Sequence, residues 1–275
     1  MNAPDIWQEI VACRARGEAA ALATIVSTVG STPGKDPMKM LVRADGSFVG
    51  SVGGGCLEAE VWEHAREVMR THRTMSVSFT LNERDDPESG LICGGTVHIF
   101  IEPVVPAQLH LFGAGHVGAA TARLAAETGF GVSVYDDRPD MLDDARLPAP
   151  IRAHGGSWSE LVAGATLGEH DFVVVLTRGH KDDEIVLRAL AAARVEPRFL
   201  GMIGSRAKRA LLLGRLADEG VPQAWLDRIV SPVGLPLGAR SAAEIAVSIT
   251  AQLLAEVRGA SAQAAAALTP LSRRQ

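Results

Sequence analysis

The stretch Leu109-His110-Leu111-Phe112-Gly113-Ala114-Gly115-His116-Val117-Gly118 decides the fold of this 275-residue chain. Four mostly apolar residues read as a strand and Gly113 to Gly118 as a tight turn. Ala119 to Thr128 follows with helical spacing, and Gly129 reads as a helix stop. Glycines in such a turn let backbone N–H groups approach an anion, and the helix start supplies unpaired amides and partial positive charge. The next strand, Gly131 to Tyr135, runs into Asp136-Asp137, an acid about 20 residues past the glycines, where a dinucleotide fold holds a ribose hydroxyl. Gly113, Gly115, His116, Gly118 and Asp136 are therefore candidate cofactor-binding residues. The plain alternatives are strand-to-helix packing for the glycines and a solvated turn acid for Asp136.

Two later strands end in unusual polarity. Phe172 to Leu176 runs into Thr177-Arg178-Gly179-His180-Lys181-Asp182, and Phe199 to Ile203 into Gly204-Ser205-Arg206-Ala207-Lys208. Strands alternating with helices predict a doubly wound parallel sheet, whose ligands sit outside the carboxyl ends of the strands. Gly204, Ser205 and Arg206 suit a phosphate at a helix start, with Ser205 also a natural N-cap; the alternative for Lys208 and Arg209 is a solvated face. His180, in a glycine turn at the same crevice, is a candidate polar or catalytic group. Ser231 to Gly238 reads as a rigid loop, Ala242 to about Val257 as a helix, and Gly259 to Gln275 as a frayed tail.

Working back from the fingerprint, Pro103 to Pro106 marks a linker. Before it the pattern is that of an α+β unit. A helix carrying Ile6, Ile10 and Cys13 ends near Gly17, and strands follow at Ala21 to Thr28, Met40 to Arg43 and Ser47 to Val52. A helix from about Leu57 to Thr71 and strands at Met75 to Leu81 and Thr96 to Glu102 complete it. The expected architecture is an N-terminal α+β domain over 1–104, a Rossmann-like domain over 105–260 and a flexible tail over 261–275. The strands at Met40 to Arg43 and Ser47 to Val52, a hairpin about Asp45-Gly46, deliver the chain to Gly53-Gly54-Gly55-Cys56, just ahead of the helical pattern, which predicts a thiol beside an anion site. A second glycine-flanked thiol, Cys93-Gly94-Gly95, precedes the last strand, its glycines also compatible with a bulge. Cys13, on an apolar helical stripe, reads as core.

Composition narrows the function. The chain is 47% hydrophobic with a formal net charge of -5, which supports two buried cores and gives no general attraction to nucleic acid or an anionic membrane. The N-terminus lacks the charge pattern of a signal peptide and no stretch reaches about 18 uninterrupted apolar residues, so a cytoplasmic protein is expected. Three widely spaced cysteines suggest neither a disulfide framework nor zinc.

The ordered motifs resemble the XdhC/CoxI family of xanthine dehydrogenase accessory proteins. The carriers are Val29-Gly30-Ser31-Thr32-Pro33, Gly53-Gly54-Gly55-Cys56-Leu57-Glu58, Cys93-Gly94-Gly95, Gly113 to Gly118, Thr177-Arg178-Gly179-His180, Gly201-Met202-Ile203-Gly204-Ser205-Arg206, and Ser231 to Leu235 with Ala243-Glu244-Ile245-Ala246. The resemblance covers nearly the whole chain and lies in the order of the motifs. It implies a maturation chaperone, not an enzyme, that binds molybdenum cofactor (molybdopterin), assists its sulfuration with a cysteine desulfurase and inserts it into a xanthine dehydrogenase-type apoenzyme, with a homodimer suggested. The chain departs from the family pattern after Pro33, where Gly34-Lys35-Asp36-Pro37-Met38 replaces an arginine and a following Pro-Gly. Lys35 or Lys39 offers a point charge there, not a bidentate fork.

On this reading the pterin's phosphate or an attached nucleotide sits on Gly113 to Gly118 and on Ser205-Arg206, while the metal and dithiolene end faces Cys56 and Cys93. Cys56 is the candidate molybdenum contact, because soft thiolate suits such a centre. Two other classes compete. An NAD(P)-dependent oxidoreductase is favoured by the fingerprint and Asp136 but has only His180 as a proton-donor candidate. An interaction adaptor with a vestigial nucleotide fold is the third.

Overall fold

The computed structural model describes residues 5–32, 37–80 and 95–260, and separates into two compact units, Met1–Pro106 and Ala107–Gln275. The expected 261–275 tail, Lys35 and Cys93 lie outside the described residues.

The first unit is an antiparallel five-stranded sheet. Its elements are α1 (Ile6–Arg16), β1 (Ala20–Val29), β2 (Lys39–Arg43), β3 (Phe48–Gly50), α2 (Gly55–Thr71), β4 (Met75–Thr80) and β5 (Thr96–Pro103), with strand order β3-β2-β1-β5-β4. Alternation along the strands makes two apolar faces. Ala21, Ala23, Ile25, Val97, Ile99 and Ile101 pack with Val61, Ala65, Val68 and Met69 of α2. Ala20 and Leu22 join Ile10 and Cys13 of α1 on the other side. Cys13 is fully buried, as its apolar stripe requires, and burial pushes its thiol up. Both ends of α1 are closed locally: Asp5 accepts from the Trp7 amide, and Gly17 takes the left-handed conformation at φ 71.

The second unit is wholly parallel. After β6 (Gln108–Phe112) come α3 (His116–Glu127), β7 (Gly131–Asp136), β8 (Arg152–Gly155), α4 (Trp158–Gly164), β9 (Phe172–Val175), α5 (His180–Ala192), β10 (Phe199–Met202), α6 (Arg206–Asp218), α7 (Gln223–Leu226), β11 (Ile229–Val230) and α8 (Ala242–Arg258). The order β11-β10-β9-β6-β7-β8 is that of a Rossmann domain. One face sets Leu109, Leu111, Val132, Val134, Phe172 and Val174 against α3 and α8; the other sets Phe112, Tyr135, Val173, Val175, Leu200 and Met202 against α4 to α7. Strands buried on both faces explain the continuous apolar runs in the sequence. The strand order reverses between the neighbouring parallel strands β6 and β9, so a crevice opens at their carboxyl ends, beside Gly113 and Thr177.

Candidate functional site

Three motif-bearing segments gather at one end of the first sheet. Antiparallel pairing sets Val29, at the end of β1, against Thr96, at the start of β5; it sets Thr24 against Lys39, and Met40 against Gly50 at the end of β3. The segments leaving β1 and β3 and the one entering β5 therefore all emerge at this end. Gly95 ties two of them together: a Cβ there would overlap the carbonyl of Ser31 and lie 2.7 Å from that of Val29. Lys39 donates to the Thr24 hydroxyl at 3.2 Å, a partner within the sheet.

The Gly53 to Cys56 run differs from expectation in one respect: α2 starts at Gly55, so Gly55 and Cys56 lie in its first turn rather than ahead of it. Gly53 and Gly54 take φ of 118° and 130°, which side chains rarely adopt, and a Cβ at Gly54 or Gly55 would meet nothing within 4 Å. No side chain caps α2. Ser51 Oγ donates to Glu58 at 2.5 Å and accepts from the Gly53 amide at 3.1 Å, which pins the turn to the helix. The result is an exposed Cys56 thiol on a helix start with open backbone beside it.

At the crevice of the second unit the three turn glycines divide between two jobs. A Cβ at Gly113 (φ +123) would overlap the Leu176 carbonyl, and one at Gly118 would overlap the Gly113 carbonyl; both are needed for packing. At Gly115 a Cβ would meet nothing within 4 Å, so packing does not require glycine there and the face over the start of α3 is open. Gly115 is the N-cap of α3 and provides no side-chain cap; His116 is exposed in the helix's first turn, which begins earlier than the expected Ala119.

Asp136 is placed otherwise than a ribose ligand would be. It is fully buried, and its Oδ2 accepts from the Ala114 amide at 2.6 Å and from Arg138 Nη2 at 2.9 Å. Its Oδ1 accepts from the Arg138 amide at 3.0 Å and Nε at 2.9 Å. Burial pushes this carboxyl up, but the Arg138 fork and the two amides outweigh it and hold the group below the usual carboxylate range. The expected ribose position is thus occupied from within the chain. Asp137 accepts from Arg178 Nη2 at 2.8 Å, and Arg178 Nε reaches Asp182 at 2.9 Å. Because β6 lies between β7 and β9, the Arg178–Asp137 pair spans the glycine turn.

The remaining candidates divide. Ser205 caps α6, accepting from the Lys208 amide at 3.1 Å, and Arg206 is exposed beside it with Gly204 at φ +153. Lys208 is turned inward, ion-paired with buried Asp183 and donating to the Ile203 carbonyl at 3.2 Å. Thr177 donates to Asp183 at 2.7 Å, while burial pushes the Asp183 carboxyl up against the pull of Lys208 and Thr177. His180 is exposed at the start of α5, whose N-cap Gly179 leaves the first amides without a side-chain partner. Arg138, Arg178 and Arg146 carry site geometry that spacing did not reveal. Arg146 Nη2 reaches the Ala114 carbonyl at 3.4 Å while its Nε is buried without a hydrogen-bond partner. The signals in the sequence were the proximity of Arg138 to Asp136-Asp137 and the place of Arg178 in the polar run after Leu176; Arg146 had none.

Residues 109–253 match the XdhC Rossmann domain and residues 13–80 match the XdhC and CoxI family. The chain belongs to the XdhC family. Protein YqeB of Escherichia coli K12 is 33% identical over 85% of this chain, which spans 43% of that relative's length. The molybdenum cofactor insertion chaperone PaoD of the same organism is 26% identical over 86% of the chain and 83% of its own length. A Bacillus halodurans structure described as a xanthine dehydrogenase superposes with a TM-score of 0.50 at 23% identity, covering 92% of this chain and 95% of that one, and shares the fold. Among the described residues of this XdhC-family chain no helix is long and apolar enough to cross a membrane, and no group of three or more His, Cys, Asp or Glu is placed to hold a metal ion.

Proposed function

We propose that this chain is a xanthine dehydrogenase accessory protein that binds molybdenum cofactor as cargo, protects it, assists its sulfuration and delivers it to a molybdenum hydroxylase apoenzyme. The observation that carries the reading is the exposed Cys56 on a bare helix start, at the sheet end where the Ser31 and Gly95 segments also emerge. Family membership and the likeness to a cofactor insertion chaperone supply the class of cargo. A soft thiol beside open amides suits the metal and dithiolene end, by ligation, sulfur relay or shielding. Gly115, with Ser205 and Arg206, suits the phosphate or nucleotide end. Cys93, His180 and His116 are assigned to cargo handling with them. A cysteine desulfurase as sulfur source and a homodimer belong to the same proposal.

The test is anaerobic equilibrium binding of purified molybdenum cofactor, with NAD(H) in parallel, scored by co-eluting molybdenum and pterin. Stoichiometric metal and pterin, weakened about tenfold by Cys56→Ala, is the expected outcome. Unchanged retention in Cys56→Ala sinks the thiol's part. The strand order and glycine turn also suit an NAD(P)-dependent oxidoreductase, and saturable NAD(H) binding without molybdenum would favour that second reading. The commitment of Asp136 to Arg138 counts against it.

A further inference from the structure

We infer that the Gly113 to Gly118 turn reads phosphate and is blind to the sugar behind it. Its ligand class is a phosphate monoester or diphosphate ester whose vicinal diol, if it has one, earns no affinity here. The inference rests on the reading that this turn holds the phosphate end of the cargo. A dinucleotide fold recognises ribose through a free carboxylate at the end of the second strand, which accepts from the diol hydroxyls. Here that carboxylate is Asp136, and four protein donors at 2.6 to 3.0 Å occupy both of its oxygens. Asp137 does not replace it, since its Oδ2 accepts from Arg178 at 2.8 Å, and its Oδ1, although it accepts no hydrogen bond, is buried 3.8 Å from the Arg138 Nε and closed to a hydroxyl from outside. For a ribose to be read, the buried Asp136 would have to give up the Arg138 fork or the Ala114 amide, and the latter holds the turn itself. The phosphate position is left untouched, because a Cβ at Gly115 would meet nothing within 4 Å.

The experiment compares ADP, 2′,3′-dideoxy-ADP and inorganic pyrophosphate as calorimetric probes on the full chain. Dissociation constants for ADP and dideoxy-ADP within about twofold are expected, because a diol bonded to a free carboxylate would separate them about tenfold or more. A tenfold preference for ADP overturns the inference and leaves the phosphate reading standing; no binding of any of the three probes overturns both. Arg138→Ala uncovers Asp136 and is expected to create the preference for ADP that the parent lacks. Parity retained in a folded Arg138→Ala protein would overturn the commitment of Asp136 as its cause. If that variant fails to fold, the comparison on the parent chain still decides.

Discussion

The Oδ2 of Asp136 lies 2.6 Å from the amide nitrogen of Ala114, so the last residue of β7 fastens the turn that follows β6. The carboxylate is a structural clasp across two parallel strands, and Arg138 makes its burial tolerable. Removing one partner of a buried pair strands the other charge, a cost of about 3 kcal/mol where the partner is itself partly exposed. Arg138→Ala is accordingly expected to lower the stability of the second unit by that amount, measured by urea unfolding with equal denaturant slopes.

The same carboxylate sets a pH dependence. Its folded pKa is depressed, so its contribution is present above the ordinary carboxylate range and is lost as pH falls through the folded value. Buried Asp183, whose pKa is raised, slopes the other way as pH rises through its own folded value. Urea midpoints between about pH 6 and pH 3 are expected to fall less steeply in Asp136→Asn than in the parent; parallel curves would refute the assignment.

The glycines of the turn separate structure from binding. Gly118→Ala sets a methyl against the Gly113 carbonyl and is expected to cost about 3 kcal/mol. Gly115→Ala meets open space, so its unfolding curve is expected to change little while pyrophosphate binding weakens. A stability loss at Gly115 equal to that at Gly118 would contradict the geometry.

Thiol chemistry checks the first unit. In a Cys93→Ser background, one thiol is expected to react rapidly with an aromatic disulfide reagent and the other only on unfolding, because Cys56 is exposed and Cys13 buried with its thiol pushed up. Cys56→Ser should remove the rapid phase and leave the unfolding midpoint in place.

Much of this architecture was legible in the residues. The apolar runs Leu109 to Phe112 and Phe172 to Leu176, separated by helical spacing, could only be strands buried on both faces, and the glycine turn fixed the place of reversal. Local signals also found Ser205 as a cap. What spacing could not reveal was side-chain allegiance. Asp136 stands at the right distance for a ribose, yet Arg138, two residues on, folds back onto it. Lys208 has the pattern of a solvated or phosphate-facing residue, yet a buried acid 25 positions earlier turns it inward. The helix starts at Gly55 and His116 were missed because glycine and histidine are weak helix formers, and only the bonds of the following turn draw them in.

The contact of Gly95 with the carbonyls of Val29 and Ser31 makes the segments around Ser31 and Gly95 a single inheritable piece. A chimaera that takes the Ser31 segment from one relative and the Gly95 segment from another would bring together backbones shaped for different neighbours. Grafting between relatives therefore has to move both segments at once, while the Gly53 to Cys56 run, fastened to its own helix through Ser51 and Glu58, is a separate piece.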